Sequence, residues 1–304
     1  MPPRVVARIG GPSHWDIPAV GKRDIFATMS RSIARFLTAV VRGLAAPLSH
    51  RQQRRVYARV IENLERLDLA EVDTRRGKLL FKQLRGSFVA SAVSRFHTDE
   101  PETLAWIDNF APGETLWDVG ANVGLYSLYA ALGGRNPVLA FEPSGFNFGL
   151  LVEHVALNGL GRGVSPLCLA LGQGERRLAH LHMRHTDAGH GSNALGEARN
   201  TFGTFEAVFE QAIPACSLDD FRELFGLPAP QHIKIDVDGI EVDIVRGAEK
   251  TLPSVNSLLI EIEGETGLTH VAEIEQRLAK AGLYEVLEIR SQGSRRNRLY
   301  RRGA

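Results

Sequence analysis

Asp118-Val119-Gly120-Ala121-Asn122-Val123-Gly124 follows an apolar run and precedes Leu125 to Leu132, a stretch of helical character. An apolar strand feeding a glycine-rich turn that opens a helix is the first unit of a doubly wound α/β sheet. The glycines let backbone approach a ligand, and the helix start offers N–H groups. A dinucleotide fingerprint, G-x-G-x-x-G, would place glycines where this chain has Asn122 and Leu125. Asp118 adds a carboxylate at the strand end, where it would repel a pyrophosphate but could pair with an ammonium group. The turn therefore suits an amino-acid-bearing nucleoside, S-adenosylmethionine, better than a dinucleotide.

Downstream, Val138-Leu139-Ala140-Phe141 reads as a buried strand ending in Glu142-Pro143. Glu142 follows Asp118 by 24 residues, close to the ~20 expected of the acid that accepts ribose hydroxyls at the second strand tip. Either acid alone would serve as a helix cap. Two acids at two strand tips with a glycine turn between them read as a site.

The alternation continues with a helix over residues 146–158 and a third strand over 164–169, which implies parallel pairing with helices on both faces. Between residues 172 and 215 the pattern breaks into Gly-, His-, Asn- and Arg-rich sequence without sustained period, read as a long irregular insertion serving as a functional loop or a lid. Ser217-Leu218-Asp219-Asp220 has the form of a helix start running to Phe225. The alternation then resumes with His232-Ile233-Lys234-Ile235-Asp236-Val237-Asp238-Gly239. Ile233, Ile235 and Val237 share one face, and Lys234, Asp236 and Asp238 the other. A mid-strand ammonium needs a carboxylate; Glu261, on the next strand, is the first candidate for a structural ion pair with Lys234, and Asp118 the second. Asp236 and Asp238 fall at the carboxyl edge, where open α/β sheets bind ligands.

These residues carry a resemblance. Asp118 to Gly124, Phe141-Glu142-Pro143, and Ile233 to Glu241 continuing through Arg246-Gly247-Ala248 resemble, in this order, the blocks of FkbM-type methyltransferases. The match spans roughly residues 95–263. The resemblance implies a class I S-adenosylmethionine-dependent fold with a seven-stranded sheet whose last strand is antiparallel, and O-methylation of a hydroxyl on a sugar, glycan or natural product. Carried over by position, Asp118, Gly120, Asn122 and Gly124 would surround the methionine half of the cofactor, and Glu142 would hold its ribose. Ala170 and Leu171 would lie near the adenine, and Asp236 would face the methyl group. Direct displacement at carbon requires the acceptor oxygen to be aligned and its proton removed, which makes Asp236 or Asp238 the expected base. The family usually carries Glu at the position of Asp238.

The expected fold class is thus α/β: a doubly wound, mostly parallel, Rossmann-like sheet of seven strands. Residues 1–75 form a basic helical extension, and 76–304 the cofactor-binding domain with its insertion at 172–215. Residues 1–60 carry eleven Lys/Arg against Asp16 and Asp24, a net +9, leaving −8 for the rest of a chain whose total is +1. Apolar Ile33, Phe36, Leu37, Val40, Val41 and Leu44 alternate with arginines, which fits one or two amphipathic helices broken near Pro47. They read either as a contact with an anionic membrane or as a cap with a solvated face. The arginines between Arg290 and Arg302 pose a similar choice between a binding patch and a charged, partly disordered end. No zinc-finger, helix-turn-helix or aromatic RNA-binding pattern accompanies the charges, so nucleic acid is not the expected partner.

Cys168 and Cys216 have no metal-ligand spacing and read as free thiols. There is neither an apolar run of membrane-spanning length nor a signal-peptide pattern. The expected location is the cytoplasm, with the basic helices available to the inner membrane face. In the insertion, His182, His185 and His190 invite a metal, but no carboxylate or cysteine at a convincing spacing completes the set, and no metal is expected. His190 and Asn193, the latter in the Gly191-Ser192-Asn193 turn, are instead expected to contact the acceptor. The competing reading is a nicotinamide-dependent oxidoreductase or sugar epimerase, against which stand the missing glycine pattern and Asp118. A binding protein that keeps the cradle only as scaffold ranks last.

Overall fold

A computed structural model describes residues 22–174, 176–200, 203–262, 264–290 and 293–303. The chain divides into two compact units, Met1–Leu67 and Asp68–Ala304. In the first, helices α1 (Lys22–Ala45) and α2 (His50–Glu65) flank a break containing Pro47. Gln52 closes the start of α2 by accepting the Ser49 backbone N–H at 3.0 Å. Phe36 is 67% exposed and Leu44 75% exposed.

The second unit opens with a hairpin, β1 (Leu69–Thr74) and β2 (Gly77–Lys82), so the extension expected to reach residue 75 stops short of it. Period-two sequence, not helical sequence, begins at Leu69. Helices α3 (Ser87–Ser94) and α4 (Pro101–Asp108) lead into the alternating core. This comprises β3 (Leu116–Val119), α5 (Leu125–Ala131), β4 (Val138–Phe141), α6 (Gly145–Leu157) and β5 (Val164–Leu167).

Next come β6 (Ala170–Leu171), β7 (Arg177–Met183), β8 (Ala194–Leu195), β9 (Arg199–Asn200), β10 (Gly203–Thr204) and β11 (Phe209–Cys216). The chain then forms α7 (Leu218–Phe225), β12 (His232–Ile235), α8 (Glu241–Arg246), β13 (Ser257–Glu261) and α9 (Gly264–Lys280). It closes with β14 (Leu283–Glu285), α10 (Leu287–Arg290) and β15 (Asn297–Arg302).

The seven-stranded sheet has the order β14-β15-β13-β12-β3-β4-β5. Strands β13, β12, β3, β4 and β5 pair in parallel, whereas β15 runs antiparallel to both β13 and β14. The arginine-rich end is therefore the antiparallel strand of the sheet. Its charges find partners: Arg298 reaches Glu275 at 3.0 Å and Arg302 donates to the carbonyls of Leu252 and Val255.

Alternation sorts the core onto two faces. Trp117, Val119, Ile233, Ile235, Leu258 and Ile260 pack with residues of α7, α8 and α9 on one face. Leu116, Val138, Ala140 and Leu259 pack with residues of α3 to α6 on the other. Asp118 and Lys234, neighbours in register across β3 and β12, belong to this second face by the same alternation. Serines cap α6 and α7: Ser144 Oγ accepts from Asn147 N at 3.5 Å and Ser217 Oγ from Asp220 N at 3.0 Å.

The insertion corrects the expected irregular lid. A second sheet, β6-β11-β7-β8, occupies most of it, and β7 and β11 pair antiparallel from Phe209↔Met183 to Ala215↔Arg177. Its strands mix His, Arg and Gln with short apolar runs, which hides their period-two signal. A small core of Ala170, Ala179, Leu181, Met183, Ile213 and Ala215 supports it.

Candidate active site

The turn after β3 is shaped by backbone that side chains resist. Gly120, Asn122 and Gly124 all have positive φ (84°, 50° and 91°). A Cβ on Gly120 would lie 1.9 Å from the Asp236 carbonyl oxygen, so this glycine lets the turn close onto the end of β12. A Cβ on Gly124 would lie 2.4 Å from Leu151 Cδ1 of α6. Gly120 N and Ala121 N donate to Phe141 O at 2.9 and 3.0 Å, wrapping the turn over the tip of β4.

There the buried Glu142 accepts from Asn122 N at 2.8 Å and Ser144 N at 2.9 Å. Burial, only partly offset by these bonds, pushes its carboxyl up to about 7. Asn147, one turn into α6, donates to His190 O at 3.0 Å and to Glu142 Oε1 at 3.4 Å, and accepts Gly189 N at 2.8 Å.

A cavity of about 270 Å³ opens beside these groups. Gly120, Asn122 and Glu142 form one side, Ala170 and Leu171 another, and His190, Gly191 and Asn193 bring the insertion to its wall. Asp236, Asp238, Glu261, Arg296 and Glu100 also line it. Most residues singled out from the sequence thus meet at one cavity. Asp118, Lys234 and Gly124 do not line it. Asp118 and Lys234 border a smaller adjoining cavity of about 150 Å³ together with Gly120, Asn122 and Asp236.

Lys234 is 1% exposed, and its ammonium bonds Asp236. The first-choice partner, Glu261, instead meets Arg296 at 2.8 Å and shares a hydrogen bond with Asp236. The reason is position: Asp236 follows Lys234 on the same face, and Glu261 stands one pleat beyond Lys234's register partner Leu259. Burial opposes the charge on Lys234, but Asp236, Glu100 and Asp118 outweigh it and hold the ammonium protonated. The same cation, with the Glu261 hydrogen bond, overcomes burial to hold Asp236 below the usual carboxylate range. Burial and the neighbouring Asp236 charge push the Glu261 carboxyl above its ordinary range, against the pull of Arg296. The Asp236 side chain is 27% exposed and reaches the cavity.

Asp238 accepts the Ser192 backbone N–H, which joins the β12 edge to the Gly191-Ser192-Asn193 turn. Glu241, pushed up to about 7 by burial, accepts Gly239 N at 2.9 Å.

Several wall residues escaped sequence reading. Glu100 looks like an ordinary acid ahead of Pro101, Arg296 like one of a run of tail arginines, and Asn147 like a helix interior residue. Only long-range packing reveals them. Among the histidines, His182 lies apart, 2.7 Å from Gly196 O and 3.3 Å from Glu210. Asp187 stands near the other two: the ligand atoms of His185, Asp187 and His190 all lie within 4.8 Å of one another.

S-adenosylmethionine fits this chemistry. Asp118 Oδ1 and Asn122 Oδ1 are buried acceptors without a donor among the described residues, and a cofactor's ammonium and hydroxyls are donors.

The family described as Methyltransferase FkbM domain matches residues 118–286. Hexuronic acid methyltransferase AglP of Haloferax volcanii is 28% identical over 149 residues, 49% of this chain; the chain spans 56% of that protein's length. Among solved structures, an S-adenosylmethionine-dependent methyltransferase from Agrobacterium tumefaciens aligns over 77% of this chain and 69% of its own, with 9% identity and a TM-score of 0.40. The precorrin-6y C5,15-methyltransferase of Geobacter metallireducens aligns over 61% and 71%, with 14% identity and a TM-score of 0.38.

Proposed function

The chain belongs to the FkbM methyltransferase family, with S-adenosylmethionine as cofactor, and from that premise we propose that it methylates a hydroxyl of a sugar or glycan unit with a carboxylate as base. The observation that carries the reading is the convergence of Glu142, the glycine turn and the Asp236/Asp238 edge on one cavity. When bound, the cofactor supplies an electrophilic methyl group.

In this reading Asp118, Gly120, Asn122 and Gly124 surround the cofactor's amino-acid half, and Glu142 accepts from its ribose. Ala170 and Leu171 border the adenine. His190 and Asn193 orient the acceptor, while Asp236 or Asp238 takes the hydroxyl proton. Asp236 is the favoured candidate of the two, a reading supported by Lys234 and the hydrogen bond with Glu261, both of which favour its charged form. A base held so acidic works by proximity to the departing proton, not by intrinsic strength.

The named relative acts on a hexuronic acid, which supports a sugar acceptor and offers two oxygens. A hydroxyl must lose a proton; a uronic carboxylate has already lost it. Asp236→Asn should therefore depress ether formation by about 10²–10⁴-fold and spare ester formation. Cofactor affinity is measured first by calorimetry with S-adenosylmethionine and, in parallel, NAD, with Asp118→Ala as control. Micromolar binding of the former that weakens in the variant supports the reading, and binding of NAD alone would overturn it. Full ether-forming turnover by Asp236→Asn with cofactor still bound removes Asp236 as base.

None of the described helices is long and apolar enough to cross a membrane. The exposed apolar Ile33, Phe36, Leu37 and Leu44 beside Arg35 and Arg42 support a peripheral contact with anionic lipid. Equal pelleting with anionic vesicles by the full chain and by residues 68–304 would remove it.

A further inference from the structure

We infer that His185, Asp187 and His190 form a binding site for a first-row divalent cation of the zinc type at the rim of the cavity. Two imidazoles and one carboxylate are a ligand set suited to such ions and leave at least one coordination position for an oxygen ligand. The three residues come from one short segment, His185-Thr186-Asp187-Ala188-Gly189-His190.

His190 Nε2 already lies 3.1 Å from Asp187 Oδ2. Two ligand atoms around a tetrahedral zinc stand about 3.4 Å apart, given metal–ligand bonds of about 2.1 Å. The His185 ring stacks on His190 with centroids 3.9 Å apart and planes 22° apart. His185 and Asp187 are exposed while His190 is buried, so the ion would be reached from solvent. His185, exposed, is not locked in the stack by burial and can turn a nitrogen to the ion. That rotation is the adjustment the site requires.

The segment's backbone is anchored. Gly189 N donates to Asn147 Oδ1 at 2.8 Å, and His190 O accepts from Asn147 Nδ2 at 3.0 Å. Gly189, with φ of 87°, packs so tightly on α3 that a Cβ would lie 2.6 Å from Val89 Cγ2. Phe88 packs against the His190 ring, centroids 4.1 Å apart, and limits its rotation. Because His190 also lines the cavity, an ion held here stands beside the acceptor's place. A hydroxyl or carboxylate oxygen of the acceptor, or a water, would complete its coordination.

The test uses the tag-free full chain, stripped with chelator and titrated with ZnCl₂ by calorimetry in the absence of cofactor and acceptor. The expected result is one site per chain, at least tenfold weaker in His185→Ala and in Asp187→Ala, as loss of a ligand predicts. His182→Ala, outside the set, is expected to bind as wild type does. Cobalt(II) serves as a second probe: its visible d–d absorption should perturb on binding and be lost in the same two variants, whose circular dichroism reports that they are folded. Absence of zinc binding by the wild type, or a weakening below tenfold in either folded variant, overturns the proposal. Neither outcome bears on whether the protein binds S-adenosylmethionine.

Discussion

The two sheets that meet at the cavity treat charge in opposite ways. Strands β3 and β12 are buried along their whole length, yet they carry Asp118 and Lys234 side by side. In the four-stranded sheet, Arg177, His180 and Glu210 stand on exposed positions of β7 and β11, alternating with a small apolar core. A charge out of reach of water must be balanced by another at a fixed place, because the low-dielectric interior offers nothing else. A charge at the surface is balanced by solvent and tolerates displacement. The seven-stranded sheet can therefore hold a carboxylate in a chosen protonation state, and the smaller sheet can vary its surface without disturbing the fold.

Substitutions grade this contrast. Lys234→Ala should be the most damaging, destabilising the fold by about 3–5 kcal/mol because it leaves Asp236, Glu100 and Asp118 without their cation. Urea denaturation measures it, and a loss under about 1 kcal/mol would break the comparison. Gly120→Ala adds a Cβ 1.9 Å from the Asp236 carbonyl at a φ of 84°. About 1–3 kcal/mol of backbone strain is expected, together with weakened cofactor binding.

Glu142 sharpens the contrast through pH. Its folded-state value of about 7 lies above the ordinary 4.5. A carboxyl raised in this direction contributes stability that is fully present below about 4.5 and is lost as pH rises towards 7. In thermal denaturation, Glu142→Gln should therefore gain on wild type between pH 5 and 8 by up to roughly 3 kcal/mol. Parallel curves for the two proteins would show that Glu142 is not raised. On the proposed ribose contact, wild-type affinity for S-adenosylmethionine should also improve across that interval while the variant's stays flat. The smallest effect belongs to the outer sheet: Glu210→Ala should change stability by under about 0.5 kcal/mol. A loss above 1 kcal/mol would mean that its surface charge is not solvated as the comparison requires.

The same difference explains what could be read in advance. Strands β3, β4 and β12 announce themselves because burial on both faces demands continuous apolar residues, so the few polar ones at their ends stand out as site residues. The glycine turn is equally legible, since positive φ restricts the choice of residue. The strands of the insertion bury only one thin face and draw on His, Arg, Gln and Ala, so neither their number nor their pairing shows in the sequence. Ion-pair choice was legible only in part. That Lys234 needs a carboxylate follows from its place in a strand, but the choice of Asp236 over Glu261 depends on the pleat and on Arg296, which arrives from the far end of the chain. That Asp187 lies beside His185 and His190 depends on a turn that folds back on itself, which sequence spacing does not display.

Asn147 gives the site a property that no single cavity residue has. Its side chain holds His190 O and Gly189 N and also touches Glu142. One amide thus joins the acid proposed for the cofactor to the segment proposed for the acceptor, its two N–H groups serving Glu142 and His190 O together. In thermodynamic terms, any coupling that this shared amide carried between the two proposed ligands would be reciprocal: the factor by which one changed the other's affinity would be the same read from either side.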